Sequence, residues 1–592
     1  MTWMHARAAR TCGSWVPWCL AGLAGCGGER SDEGFLGTDS GLSATGGSLS
    51  TGASASGGGD ETGEPPPEEE PDADFRVPRA SGRFVYSASE LTDSVAVIDS
   101  TNLAIDVVGV GRGPTVVVPI LGSDTDQGRV AVLDQRSNDV ALLSTTAAFS
   151  SSVSVRDVTA GANNLAVSPD GGFVFVYHDV DGEEALGAGS DQEVTVLDVA
   201  GDASYAMTVG AHPREVVFSS DSTRAYVITD DGVNVVPVAE LATLDKPDVI
   251  PVVSDPAVDP STVEIHVAAD RDVALSRVEG ETEVVATDLV TRAQYAFELP
   301  DIPTDLDLAA DGSFAILTTP STAGSRFWEL ALPVDATSTP VPYELPSEYV
   351  GLAQIAPGAD AIVLFTSVNP FVDGTTVLGG GTTGGSSSSG AAGSSSAASG
   401  DGGSSSSDGG GTGGVDTGPD PEQDPRQRVT LVRRDGAGWG AAVTLFVDDP
   451  IQAVGIAPDG ANALLLHEPD TSDDNAVWSY TLLDLSKTFP VKKRQTIETK
   501  PGPVLFSPEG DRAVVLLRDE ENSVQRIDRI DLRTFIVESL ELGSPPEGAG
   551  YVAATTKIFV AQEHPTGRIT FIDADGGVET VTGFRLNDAV KD

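Results

Sequence analysis

Three of the six histidines in this chain stand beside a carboxylate: His178 precedes Asp179, His467 precedes Glu468, and His564 follows Glu563. Neutral imidazole and carboxylate are common ligands of a divalent metal, and a metal so held polarises a carbonyl or activates water. His178, His467, Glu468 and His564 are therefore the first residues to test for catalysis, with Asp179 beside them. Two acidic loops offer a different chemistry. Asp124-Thr125-Asp126 and Asp470-Thr471-Ser472-Asp473-Asp474 present carboxylate oxygens of the kind Ca²⁺ takes, so Asp124, Asp126, Asp470 and Asp473 are candidate ligands. Neither loop has the central glycine and terminal bidentate glutamate of the twelve-residue calcium loop. Solvated loops and histidines on separate units are the simpler readings. No catalytic residue or metal ligand is assigned, and Ca²⁺ or another divalent metal is the one cofactor these residues suggest.

Other chemistries find less support. No Gly-x-Ser-x-Gly elbow stands between a strand and a helix. All three cysteines fall at positions 12, 19 and 26, ahead of everything that looks folded. Only Trp328, Trp439 and Trp478 lie beyond the first 25 residues, too few for the recurrent tryptophan docking of quinoprotein propellers. With 89 acidic against 35 basic residues the formal net charge is −54, which argues against nucleic acid and against a basic patch on anionic lipid. Paired carboxylates are so numerous that their proximity carries no information.

The first 26 residues carry a different message. Arg7 and Arg10 precede an uncharged apolar stretch from Trp15 to Ala24, the parts of a secretory leader. The stretch is shorter than the ~20 residues that a spanning helix needs. It ends in Leu23-Ala24-Gly25-Cys26, which resembles a bacterial lipobox and implies a signal peptide over 1–25 with lipid on Cys26. Residues 26–75, rich in Gly, Ser, Pro and acids, read as a disordered tether lifting a domain off a membrane. Gly27 is not the Asp that commonly retains lipoproteins at the inner membrane, so the resemblance implies the outer membrane of the cell envelope.

Period-2 apolar runs dominate the rest, as in Val95-Ala96-Val97-Ile98-Asp99 and Val194-Thr195-Val196-Leu197-Asp198, and helical periodicity is missing. The chain reads as all-β. A tight turn recurs after an apolar strand: Ser168-Pro169-Asp170-Gly171, Ala457-Pro458-Asp459-Gly460 and Ser507-Pro508-Glu509-Gly510. Fainter copies stand at Ser219-Ser220-Asp221, Ala309-Ala310-Asp311-Gly312 and Ala356-Pro357-Gly358. Proline presets φ, aspartate caps the turn, and glycine takes the positive φ. Aligned on this turn, about ten units follow one another every ~40–50 residues, the period of a four-stranded propeller blade. The one interval twice that length, from Pro357 to Pro458, contains a Gly/Ser tract over 373–425. Strands are expected on both sides of it, so the tract interrupts one unit and does not separate domains. The expected order is propeller units over 76–372, the insertion, and further units over 426–586, in one large ring or two adjoining rings.

The clearest units, such as Asn164 to Val176 followed by Val194–Asp198, resemble the YVTN-type repeats of bacterial surface propellers, and lack the Gly-His and Trp-Asp pairs of WD40 repeats. That resemblance implies a surface or periplasmic recognition role; with the lipobox and the missing catalytic motifs, the expectation is a lipid-anchored envelope protein that binds a protein or glycan without chemistry of its own. The alternative is a hydrolase resembling the propeller lactonases, with a site on the loop face. A third reading is a passive envelope protein contributing bulk negative charge.

Overall fold

The structure is a computed structural model that describes residues 78–584, except 123–124, 181–189, 322–323, 346–347, 368–424, 437, 470–476 and 520–521. The leader, Cys26 and the tether lie outside the described residues, as does all but the end of the Gly/Ser insertion. So do Asp124, Asp470 and Asp473.

Alternating side chains dictate the architecture. In Phe84–Ser89, Phe84 and Tyr86 point to one face of their sheet and Val85 to the other, and all three are fully buried. A sheet buried on both faces must sit between two others. Ten antiparallel sheets meet that demand, nine with four strands and one with five, each built from strands consecutive in sequence. Blades 1 to 10 occupy residues 79–109, 114–157, 164–208, 213–250, 263–298, 305–345, 352–446, 451–496, 501–541 and 546–582. Helix is limited to four 3₁₀ turns of three residues among the described positions.

Each blade packs on the next through its own apolar core, and there are as many seams as blades. The tenth seam sets Val85, Ala96 and Ile98 of blade 1 against Val552, Phe559, Phe571 and Phe584 of blade 10. A hydrogen bond of 2.9 Å between the Ser100 and Thr555 hydroxyls crosses the same seam. The ring is therefore single and closed, a ten-bladed β-propeller. First strands touch the first strands of neighbouring blades, so they are the innermost and line the axis.

The recurrent turn joins first and second strands. Ser168 accepts from the Gly171 N–H at 2.8 Å, the Ser168 hydroxyl reaches Asp170 at 2.6 Å, and Gly171 has φ +67°. In fainter copies Ser222 and Ala359 take the same left-handed position at φ +57° and +55°. Aspartates closing the third strands do similar work at the next turn: Asp99, Asp198, Asp288, Asp484 and Asp531 each accept backbone N–H groups two or three residues ahead. Part of the acidity is thus turn chemistry. In blade 7, Ala361–Phe365 pairs with Arg428–Asp435, so second and third strands of one sheet flank the Gly/Ser segment. Loops between second and third strands emerge on the same face as the blade-to-blade links, called here the mouth face.

Candidate functional site

The three histidines singled out by sequence sit where second strands end on the mouth face, on blades 3, 8 and 10. They are not gathered. His178 is buried, with Nδ1 2.8 Å from the Gly161 carbonyl. His467 is sealed between the Pro450 carbonyl (3.2 Å) and the Thr481 hydroxyl (2.8 Å), and burial pushes its pKa down to about 4. It is a neutral core residue at ordinary pH. His564 takes the Thr566 N–H and hydroxyl at 3.3 and 3.0 Å. Asp179 is locked by its backbone to Asn163, and Glu468 lies 3.6 Å from Arg426. Asp126, on the face opposite the mouth, lies 3.8 Å from Arg83. Among the described residues no group of three or more His, Cys, Asp or Glu is arranged to hold a metal.

The structure instead concentrates charge on blades 4 to 6. At the mouth of blade 4, His212 is held with φ +49°, its N–H donating to the Asp191 carbonyl at 2.7 Å. Eleven other described non-glycine residues, Ser222 and Ala359 among them, share this left-handed backbone, which marks a turn. The imidazole Nδ1 stands 2.6 Å from one Asp230 oxygen, while Arg214 forms an ion pair with the other. Asp259, on the link to blade 5, accepts the Ser261 N–H and hydroxyl; these, with the Arg214 charge, hold its carboxyl below the usual range.

The next two blades continue this arc along the axis. Glu264 and His266 alternate on the first strand of blade 5, Val263–Ala268, and meet at 2.7 Å. Arg277, buried on the second strand, pairs with the same Glu264 and donates to the Pro303 carbonyl at 3.2 Å. Blade 6 presents Asp305 and Asp307 on its first strand, Asp305–Leu308. Burial first, then the charges of Asp307 and Glu264, push the Asp305 carboxyl well above the ordinary range. Both aspartates also accept N–H groups from the first strand of blade 7: Ala353 donates to Asp305 at 2.7 Å and Ile355 to Asp307 at 2.9 Å. They thereby satisfy an inner strand edge as well as charging the wall.

This arc combines a carboxylate-oriented imidazole, two buried or half-buried arginines and a carboxyl whose acidity burial and neighbouring acids weaken. It can orient a ligand through charge-assisted hydrogen bonds. Sequence reading passed over these residues because it looked for a histidine directly beside a carboxylate, whereas His212 and Asp230, and Glu264 and Arg277, meet only across strands. The available signal was the strict alternation of charged or imidazole residues with apolar ones in Val263-Glu264-Ile265-His266-Val267 and Asp305-Leu306-Asp307-Leu308.

No protein-family model matches the chain, and no curated protein matches it. Among solved structures, the chain is similar to a eukaryotic initiation factor (11% identity, 75% of this chain and 93% of that one, TM-score 0.45). It is also similar to the dihydro-heme d1 dehydrogenase NirN (12%, 76% and 73%, 0.39). A third is apo AztD from Citrobacter koseri (12%, 77% and 94%, 0.35). At these identities and scores nothing about function follows from the likeness.

Proposed function

We propose that this chain is a lipid-anchored envelope β-propeller of YVTN type that binds a protein or glycan through the charged arc of blades 4 to 6, without chemistry of its own. The observation that carries the reading is the Glu264–His266–Arg277–Asp305–Asp307 wall. It gathers hydrogen-bonding and acidic groups along the axis on the first strands of two neighbouring blades. Such a wall suits a ligand bearing hydrogen-bond donors or positive charge. The anchor rests on the Leu23-Ala24-Gly25-Cys26 motif and the outer-membrane placement on Gly27.

The test is capture from envelope extracts with the purified full chain, repeated with a Glu264→Gln/Asp307→Asn variant. A partner retained by wild type and released by the variant and by salt supports binding at the arc. Salt-insensitive, partner-free behaviour supports the passive envelope reading instead. For the anchor, globomycin-insensitive processing or a mature protein without acyl chains rejects lipidation at Cys26.

One observation favours the hydrolase reading: the His212–Asp230 pair resembles an oriented general base. A lactone and ester panel, with and without EDTA, separates the two. Turnover lost in His212→Ala supports the enzyme, and an inactive metal-free protein supports the binding module.

A further inference from the structure

The outer rim of blade 8 reverses the charge of the rest of the molecule. The chain has seven lysines, and four of them, Lys487, Lys492, Lys493 and Lys500, fall between positions 487 and 500. The fourth strand of this blade, Val491–Thr496, carries Lys492, Lys493 and Arg494 and no acid. Fourth strands of other blades carry acids and no base, such as Glu298 in blade 5, Glu344 in blade 6 and Glu579 in blade 10. Successive side chains of a strand point to opposite faces, so the cations spread to both sides of the rim. Lys492 donates to the Phe446 carbonyl of blade 7, and Lys493 to the Phe535 carbonyl of blade 9. Neither amine has a carboxylate partner among the described residues. Arg494, by contrast, is held by Asp449 at 2.6 Å, and Lys487 stands 3.8 Å from Asp484.

Apolar side chains are exposed among these cations. Phe489, in the turn from third to fourth strand, is 78% exposed; Val491 beside it and Ile536 on the rim of blade 9 are each 56% exposed. Single exposed apolar residues are ordinary, but here they adjoin the backbone that the two lysines reach. We propose that this rim docks on an anionic lipid bilayer, with Lys492 and Lys493 on phosphate headgroups and Phe489 at the acyl boundary. Cations alone would suit any polyanion. The exposed aromatic and aliphatic groups beside them select a surface with an apolar layer beneath its charge. A rim built on an outer strand presents these groups to an extended surface and has no concave wall to enclose a free phosphate. The net charge of −54 opposes approach from afar, yet at physiological salt charges more than ~8 Å away are largely screened. The groups on the rim therefore decide the contact. Phe489 lies on the face opposite the mouth, so docking leaves the mouth open, and the contact does not depend on lipid at Cys26.

The test uses the full chain carrying Cys26→Ser, so that no acyl group contributes, sedimented with phosphatidylglycerol vesicles and with phosphatidylcholine vesicles as control. The chain is expected to bind the anionic vesicles and to leave them as salt rises from ~0.15 to ~1 M. Each lysine near such a surface is worth about fivefold, so Lys492→Glu/Lys493→Glu should weaken binding at least tenfold. Phe489→Ser, in an exposed turn, should weaken it about threefold without altering thermal unfolding. Should the double variant fail to fold, the Phe489→Ser loss must still appear. No binding to anionic vesicles overturns the rim and leaves the anchor at Cys26 untouched. Equal binding to phosphatidylcholine, or binding unchanged in these variants, overturns it as well. Retention on immobilised polyglutamate without vesicle binding overturns it in favour of an acidic polypeptide.

Discussion

Two arcs of one ring occupy equivalent positions and behave as opposites. The first strands of blades 2 and 3, Pro114–Pro119 and Asn164–Val167, are buried almost throughout, and their residues are consumed by the seams on either side. The first strands of blades 5 and 6, Val263–Ala268 and Asp305–Leu308, are mostly half-exposed and carry Glu264, His266, Asp305 and Asp307. First and second strands pair antiparallel in both arcs, with a register shift only at Pro114/Val116 of blade 2, so the backbone fold accommodates either surface along its axis. Side-chain identity alone decides where the ring is sealed and where it can grip a ligand. Function in a propeller is therefore a local decision on a few inner strands.

The largest expected effect breaks the comparison from its sealed side. Leu165→Glu places an unpaired carboxylate in the core between blades 2 and 3, where Leu165 is 3% exposed, and should cost about 4 kcal/mol or more in urea unfolding. A near-neutral result would mean that charge is tolerated anywhere along the axis. Next comes His467, the loop histidine that turned out to be core. With its folded pKa lowered from 6.5 to about 4, the unfolded chain takes up the proton first as pH falls. Its contribution is complete above pH 6.5 and is lost on acidification toward pH 4, by up to about 3 kcal/mol. Unfolding curves across that window for wild type and His467→Gln check this; the variant should show a shallower acid limb.

Smaller effects belong to the charged arc. Arg277→Ala removes the counter-charge of Glu264 and Asp305. Breaking a fully buried pair costs about 3–5 kcal/mol, but Glu264 keeps 31% of its side-chain surface, so about 2 kcal/mol is expected. Asp305→Asn works in the opposite sense. The raised pKa means that the folded state keeps a proton the unfolded chain releases, so wild-type stability declines as pH rises above the ordinary carboxylate range. Asparagine should flatten that decline, as thermal unfolding from acid to neutral pH would reveal. The smallest change is His212→Ala. Its ring is 39% exposed, and loss of the Asp230 contact should alter stability by under ~1 kcal/mol. Any larger loss, if confined to ligand retention or turnover, locates function at the mouth of blade 4.

The legible parts of the fold were those that repeat locally. Ser168-Pro169-Asp170-Gly171 and its copies mark the first turn of their blades, set by contacts within four or five residues. The charged arc was legible only as an oddity of composition in strands that otherwise read as core. Nothing in sequence says that His212 and Asp230, or Glu264 and Arg277, share a site while His178, His467 and His564 do not. A histidine beside a carboxylate in sequence points away from it in a strand or turn, because successive side chains diverge.

What the residues determined unaided was the period, the strand type and the turns, because alternation and φ preference act over a handful of neighbours. Ring closure through Val85, Ile98, Phe559 and Phe571 was settled only in three dimensions. So was the burial that neutralises His467, and the convergence of acids from separate blades around the axis. Each depends on groups far apart in the chain, and burial and electrostatics act through space, at distances the linear order does not record.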